Sequence, residues 1–174
     1  EQVLVKCMKE LQATHDSHQT NLHVDQSVLK EKLIHDYLFL NRYSALEFAQ
    51  YAEQYHIAFV NQYQVVCLME LEGFEQLRSR FQDEHGKLVH MSMLNVLNEI
   101  VHTYGSGEAI HDADARYLII LAFEDAVEPK VLEEKVRTNL NQVGKAMSTY
   151  FNVKVTFAVS SLQPNSLNMR EQYK

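Results

Sequence analysis

Apolar residues recur at two spacings along this chain, and the change between them comes at Tyr63. Before it the period is helical. Leu4, Cys7, Met8 and Leu11 fall at i, i+3, i+4 and i+7, one stripe of an amphipathic helix that is too short to be stable alone. The polar stretch from His15 to His23 reads as a linker. Asp25 is placed to cap a second helix whose inner face carries Leu29, Leu33, Tyr37 and Leu38. Ser44-Ala-Leu-Glu47 is a capping box, since the Ser hydroxyl and the Glu carboxylate can each satisfy an orphaned amide, and it predicts a third helix running to Tyr55.

From Tyr63 the chain turns almost continuously apolar through residue 71, as in a strand covered on both faces. Phe74, Leu77 and Phe81 then return to a helical period. So do Leu94, Leu97, Val101 and Tyr104, with a second row at Met93, Val96 and Ile100, which predicts a largely buried helix over 87–104. Gly105-Ser-Gly107 is expected to end it in the left-handed conformation that helix termini favour. A short strand at 108–112 and the run Tyr117-Leu-Ile-Ile-Leu-Ala-Phe123, joined through Ala113-Asp114, predict a β-hairpin. Pro129 suits a first helical turn, and Leu132, Val136, Leu140, Val143 and Met147 follow on one face. Val153, Val155, Phe157 and Val159 alternate strictly, a strand with one buried side. The predicted order from residue 63 is strand, helix, helix, strand, strand, helix, strand.

Composition narrows the function classes. A net charge of -7 with no visible Lys/Arg cluster argues against this chain itself wrapping nucleic acid, which needs a basic surface to neutralise phosphates. Two cysteines, Cys7 and Cys67, provide neither a disulfide framework nor a CxxC metal site and suit a reducing, cytoplasmic setting. No apolar run approaches the ~20 residues of a membrane span, so no membrane contact is expected of this chain. The chain starts at Glu1 and stops at Lys174 as a new helical pattern begins, so both ends read as cut from something longer.

The element order, with acidic residues Glu70 and Glu72 closing the first core strand and a hairpin before the second, resembles the GGDEF fold of diguanylate cyclases over residues 63–162. Glu70, Glu72 and Phe74 stand at the Asp, Asp and Phe positions of the family's D-x-D-x-F-K segment. The second signature is missing. Ala113-Asp114-Ala115-Arg116-Tyr117 aligns with Gly-Gly-Asp/Glu-Glu-Phe, so the glycines that let backbone approach a nucleotide are gone and Arg116 stands where a carboxylate belongs. Glu75 and Arg78 replace the family's lysine and its guanine-reading asparagine. Together with Leu29-Lys-Glu-Lys-Leu-Ile-His-Asp-Tyr-Leu38, Val155-Thr-Phe-Ala-Val-Ser-Ser161 and Leu167-Asn-Met-Arg-Glu-Gln-Tyr173, residues 25–174 look like the degenerate GGDEF-like regulatory domain of AraC-type and YesN-like bacterial transcriptional regulators.

The resemblance implies an α+β fold of the GGDEF/class III cyclase (ferredoxin-like, palm-type) kind, a mixed sheet flanked by helices. Three segments are expected: residues 1–24 a helical lead-in and linker, 25–60 an N-terminal helical segment, 61–174 the degenerate GGDEF-like domain. It implies no enzymatic activity and no cofactor. The expected role is a regulatory and dimerisation module, self-associating through Leu4, Met8 and Leu11, with DNA bound by a C-terminal helix-turn-helix module outside this chain. An upstream receiver, as in a two-component response regulator, is one source of its signal. The alternative is a receptor for a nucleotide or other metabolite in a relic cleft at Glu70, Glu72, Arg78 and Arg116.

Each candidate also has a plainer reading. Glu70 and Glu72 could ligate a divalent cation, but they are read as alternating across the strand, pointing the same way only if it has already ended. The favoured reading is a solvated strand end. His15, His18 and His23 lack cysteine partners and read as solvated linker. Ser160-Ser161 reads as a turn former, and Arg78, Arg80 and Arg116 as solubilising surface rather than an anion site.

Overall fold

The computed structural model describes residues 28–57, 62–81, 86–123, 128–161 and 163–164. Leu4, Met8, Leu11, the histidine linker, Asp25 and the stretch beyond Pro164 lie outside the described residues. Residues 28–38 are helical (α1), followed by α2 (Ala45–Gln54), β1 (Tyr63–Glu72), α3 (Phe74–Arg80), α4 (Lys87–Tyr104), β2 (Ser106–Ala113) and β3 (Arg116–Phe123). Then come α5 (Pro129–Ala146), a π-helical turn (Met147–Phe151), β4 (Lys154–Val159) and β5 (Gln163–Pro164). Among the described residues no helix is long and apolar enough to cross a membrane.

The sheet order is β2-β3-β1-β4, with β5 also pairing β1. Every pair is antiparallel, so the α+β architecture is as expected while the sheet is not mixed. Central β1 explains its own sequence: Val65, Cys67, Met69 and Leu71 face one core, and Val66 faces the other. On the first side α3, α4 and α5 supply Phe74, Leu77, Met93, Leu97, Val136 and Val143. On the second, α1 and α2 cover Ile110, Leu118, Ile120 and Ala122 with Leu33, Ile34, Tyr37 and Phe48. Cys67 sits within the first core, and burial pushes its thiol up to about 12, so it stays protonated and unreactive.

Local signals account for the helix ends. The Ser44 capping box forms in both directions, Glu47 N–H donating to Ser44 Oγ at 3.3 Å and Ser44 N–H to Glu47 Oε2 at 2.8 Å. The inner face of α1 differs from expectation by one position: Leu29 is 43% exposed, and Ile34, with none of its surface exposed, takes the place in the core. The reason is that α1 packs with α2 over the strands, which turns residues 33, 34, 37 and 38 inward. Asp36, buried, receives a hydrogen bond from Arg42 Nη1 at 3.1 Å and closes the turn between these two helices. At the end of α4, Gly105 has φ 168, ordinary extended backbone, so it is not the left-handed terminus expected. The glycine that the fold requires is Gly107, at φ 151 on β2.

Glu108, next along β2, is desolvated beneath α1. Burial pushes its carboxyl above the usual 4.5, His102 and Lys30 oppose that rise, and Glu31 adds to it. A group with a raised folded pKa is bound to its proton more tightly in the native state, so its contribution is complete below the ordinary value and is lost as pH climbs through the raised one. Glu108→Gln is therefore expected to raise the melting temperature at pH ~7 and to flatten the fall in stability above pH ~5, read by thermal melts across pH. An unchanged pH slope would contradict the buried placement.

Candidate functional site

The site suggested by the acidic strand end is built where β1 finishes beside the β2–β3 hairpin. The hairpin turns on Asp114-Ala115, with Asp114 in the left-handed region at φ 43, a conformation that Asp tolerates better than most side chains. Leu71 N–H donates to Ala115 O at 2.9 Å, which holds the turn against the end of β1.

Glu70 and Glu72 are two residues apart on a continuous strand and therefore share one face, which corrects the expectation that they alternate. The face is that of Val66, and both carboxylates are solvent-exposed. The register then decides their surroundings. Glu70 lies across from Arg116 on β3 and from Thr156 on β4, and Glu72 lies across from Lys154. Arg116 Nη2 also pairs with Asp112 Oδ2 at 3.3 Å, so charges of alternating sign run across the sheet end. Among the described residues no group of three or more His, Cys, Asp or Glu is placed to hold a metal ion.

Arg78 belongs to the other layer. It sits on α3, whose Phe74 and Leu77 pack into the opposite core, and its guanidinium pairs with Glu75 at 3.2 Å. Arg80 donates to the carbonyl of Phe151 and ties α3 to the π-helical turn. The three arginines considered for an anion site thus have three separate partners. Ser160 is likewise engaged in the fold: its hydroxyl accepts from Val66 N–H and donates to Ser161 O, each at 3.0 Å, and its own N–H donates to Val66 O at 2.9 Å, which extends the pairing with β1 rather than forming the turn expected.

A cluster that the sequence does not single out lies behind the hairpin on the α3/α4 side. His90 from α4, His111 from β2, Tyr117 from β3 and Phe74 from α3 converge there, the His90 and His111 rings with centroids 3.8 Å apart and Phe74 5.1 Å from His90. Tyr117 Oη lies 2.6 Å from His90 Nδ1. Burial, with Glu31 adding to it, pushes the phenol above its usual range, so Tyr117 keeps its proton, and the hydrogen bond it shares with His90 Nδ1 takes its direction from the imidazole tautomer. His111 Nε2 lies 3.1 Å from the carbonyl of Asp114, which can only accept, so that nitrogen carries hydrogen. Phe74 was legible through its motif position. The histidines come from elements far apart in sequence, and only the hairpin register places His111 opposite Tyr117.

No protein-family model and no curated protein matches the chain. Among solved structures it is similar to the FimX GGDEF domain from Pseudomonas aeruginosa, at 10% identity and TM-score 0.48 over 75% of this chain and 82% of that one. It is similar also to the active GGEEF domain of a diguanylate cyclase from Vibrio cholerae, at 13% identity and TM-score 0.45 over 78% and 80%. A third is the GGDEF domain of DgcB from Caulobacter crescentus, solved with c-di-GMP, at 13% identity and TM-score 0.42 over 77% and 70%. The likeness is one of fold, to GGDEF domains.

Proposed function

We propose that this chain is a non-catalytic regulatory and dimerisation module of a bacterial AraC-type transcription regulator, passing an upstream signal to a C-terminal helix-turn-helix module. The family assignment rests on the sequence resemblance. The observation that carries the loss of catalysis is the register at the strand end, where the two carboxylates that would ligate a nucleotide-bound metal lie across from Arg116 and Lys154. A cation in the ladder offsets the charge a divalent ion requires, and the Asp114-Ala115 turn carries side chains where a close backbone approach needs glycine. Arg78 lies in the opposite layer from Glu70, Glu72 and Arg116, so the residues of the relic cleft do not converge, which favours this reading over a metabolite receptor there.

The expected result with GTP or ATP and Mg²⁺ or Mn²⁺ is no cyclic or dinucleotide product by chromatography. Product formation that disappears in Glu70→Ala would overturn the proposal. For dimerisation, light scattering should give a dimer for the chain and a monomer when Leu4, Met8 and Leu11 are all changed to Lys. A monomer in both cases would remove that part of the reading.

A further inference from the structure

The sheet has two outer strands, and among the described residues side chains close the edge of one of them. Along β2, Asn98 on α4 stands in for a further strand: Ala109 N–H donates to its Oδ1 at 2.7 Å, and its Nδ2 donates to Ala109 O at 3.4 Å. His111 N–H donates to Glu31 Oε1 at 3.2 Å, and His102 Nε2 lies 3.2 Å from Gly107 O. Covering an edge in this way keeps other strands off it. β4 has no such cover. Ser160 N–H donates to Val66 O, so by alternation the even-numbered residues of β4 turn their backbone to β1, while Val155, Phe157 and Val159 turn theirs outward. None of those outward groups has a partner among the described residues. An open apolar groove of about 580 Å³ runs beside this edge, between β4 and α5, and Val159 in its wall is 49% exposed.

We infer that the β4 edge pairs antiparallel with β4 of a second copy of this chain, about a two-fold axis at Val159. The helix beside the strand places the axis. A Cβ on Gly144 of α5 would lie 3.9 Å from Val155 Cγ2, so the end of α5 stands beside the start of β4. In the other direction Val159 lies ~13 Å beyond Val155 along the strand, and Lys135 lies ~13.5 Å before Gly144 along the helix. An axis at Val159 is therefore level with Lys135, midway between Glu133 and Arg137 at the groove's rim. It sets Glu133 of each copy against Arg137 of the other. Neither residue has an ion-pair partner in its own chain among the described residues. At the strand, Val159 meets Val159 of the second copy and Phe157 falls opposite Ser161, so the exposed apolar surface closes on itself and no like charges face each other. A charge order that complements itself about a two-fold points to a second copy rather than to an unrelated strand.

A joint of this length is small beside the ~1,200–2,000 Å² of a stable interface, so it forms within a dimer that the lead-in stripe holds at high effective concentration; to that extent the inference deepens the proposed dimerisation and rests on it. The test uses the full chain with Cys7→Ser, which leaves buried Cys67 as the remaining thiol, and with Val159→Cys added. Facing residues of a hydrogen-bonded antiparallel pair have Cα atoms ~5.5 Å apart, within the span of a disulfide. Mild oxidation should therefore give a covalent dimer on non-reducing gels, and Leu88→Cys, on α4 and 64% exposed, should not. Glu133→Arg or Arg137→Glu alone should slow the cross-link several-fold, and the two together should restore its rate. Light scattering before oxidation separates the outcomes. A dimer that fails to cross-link through Val159→Cys, or a cross-link indifferent to the charge variants, would overturn the edge pairing and leave the lead-in dimer standing. A chain that is monomeric and does not cross-link would remove both.

Discussion

Gly107→Ala is expected to prevent folding, while Gly105→Ala two residues earlier leaves the protein near its normal stability. A Cβ at Gly107 would land inside the carbonyl oxygen of Ile120, with Val101 Cγ1 only 3.0 Å away on the other side. The obstacle is backbone of the neighbouring strand, so no rotamer change relieves it. The φ of 151 adds strain for any L side chain. Separating β2 from β3 here would break the ladder that pairs Ser106–His111 with Tyr117–Ala122, a loss well above the ~4 kcal/mol of the severest ordinary substitutions and comparable to the ~5–15 kcal/mol that holds a domain folded. At Gly105 the nearest atom, Ala122 O, is 3.5 Å from the added carbon, an ordinary contact, and the backbone is extended. Circular dichroism and urea unfolding of the two variants make the comparison. A cooperative Gly107→Ala transition at the wild-type midpoint would show the close approach to be wrong.

The second large effect concerns the layer formed by α1 and α2. Phe48→Ala is expected to cost ~3–5 kcal/mol, because the ring is wholly buried and its removal leaves a cavity beside a fixed sheet. Phe48 stacks on Tyr37 with centroids 4.0 Å apart and planes within 8°, and both rest over Ile110, Leu118 and Ile120. Tyr51→Ala, on the same helix but 42% exposed, should fall within ~0.5 kcal/mol of the starting protein. Should the two urea midpoints move equally, the helical layer would not be part of one cooperative unit with the sheet. The same burial predicts that residues 63–164 expressed without α1 and α2 expose a contiguous apolar sheet face and aggregate.

Much of this architecture is legible in the sequence for a local reason. Burial on one face of a helix or on both faces of a strand leaves a period that a single segment reveals, so Lys87–Tyr104, Arg116–Phe123 and Pro129–Ala146 appear close to where the pattern predicts them. The Ser44 box is legible because both of its partners lie within four residues. The π-helical turn at Met147–Phe151 and the short β5 left no such trace. In the α1 helix the period places Leu33, Tyr37 and Leu38 in the core as expected; Leu29 and Ile34 differ in burial because of where α2 sits, and that is set by the sheet beneath both.

The candidate site divides in the same way. That Glu70 and Glu72 close an apolar strand is a property of the sequence, and so is the absence of glycines before Tyr117. That both carboxylates point to one face follows from the two-residue repeat of any strand, once the strand is known to continue through Glu72. The cations opposite them, the His90–His111–Tyr117 contacts and the need for glycine at 107 come only from tertiary structure, because strand register joins residues dozens of positions apart and no local period records it. The chain by itself determined which segments become helices and strands and which charges stand at their ends; pairing decided what each charge faces, and therefore what that strand end can do.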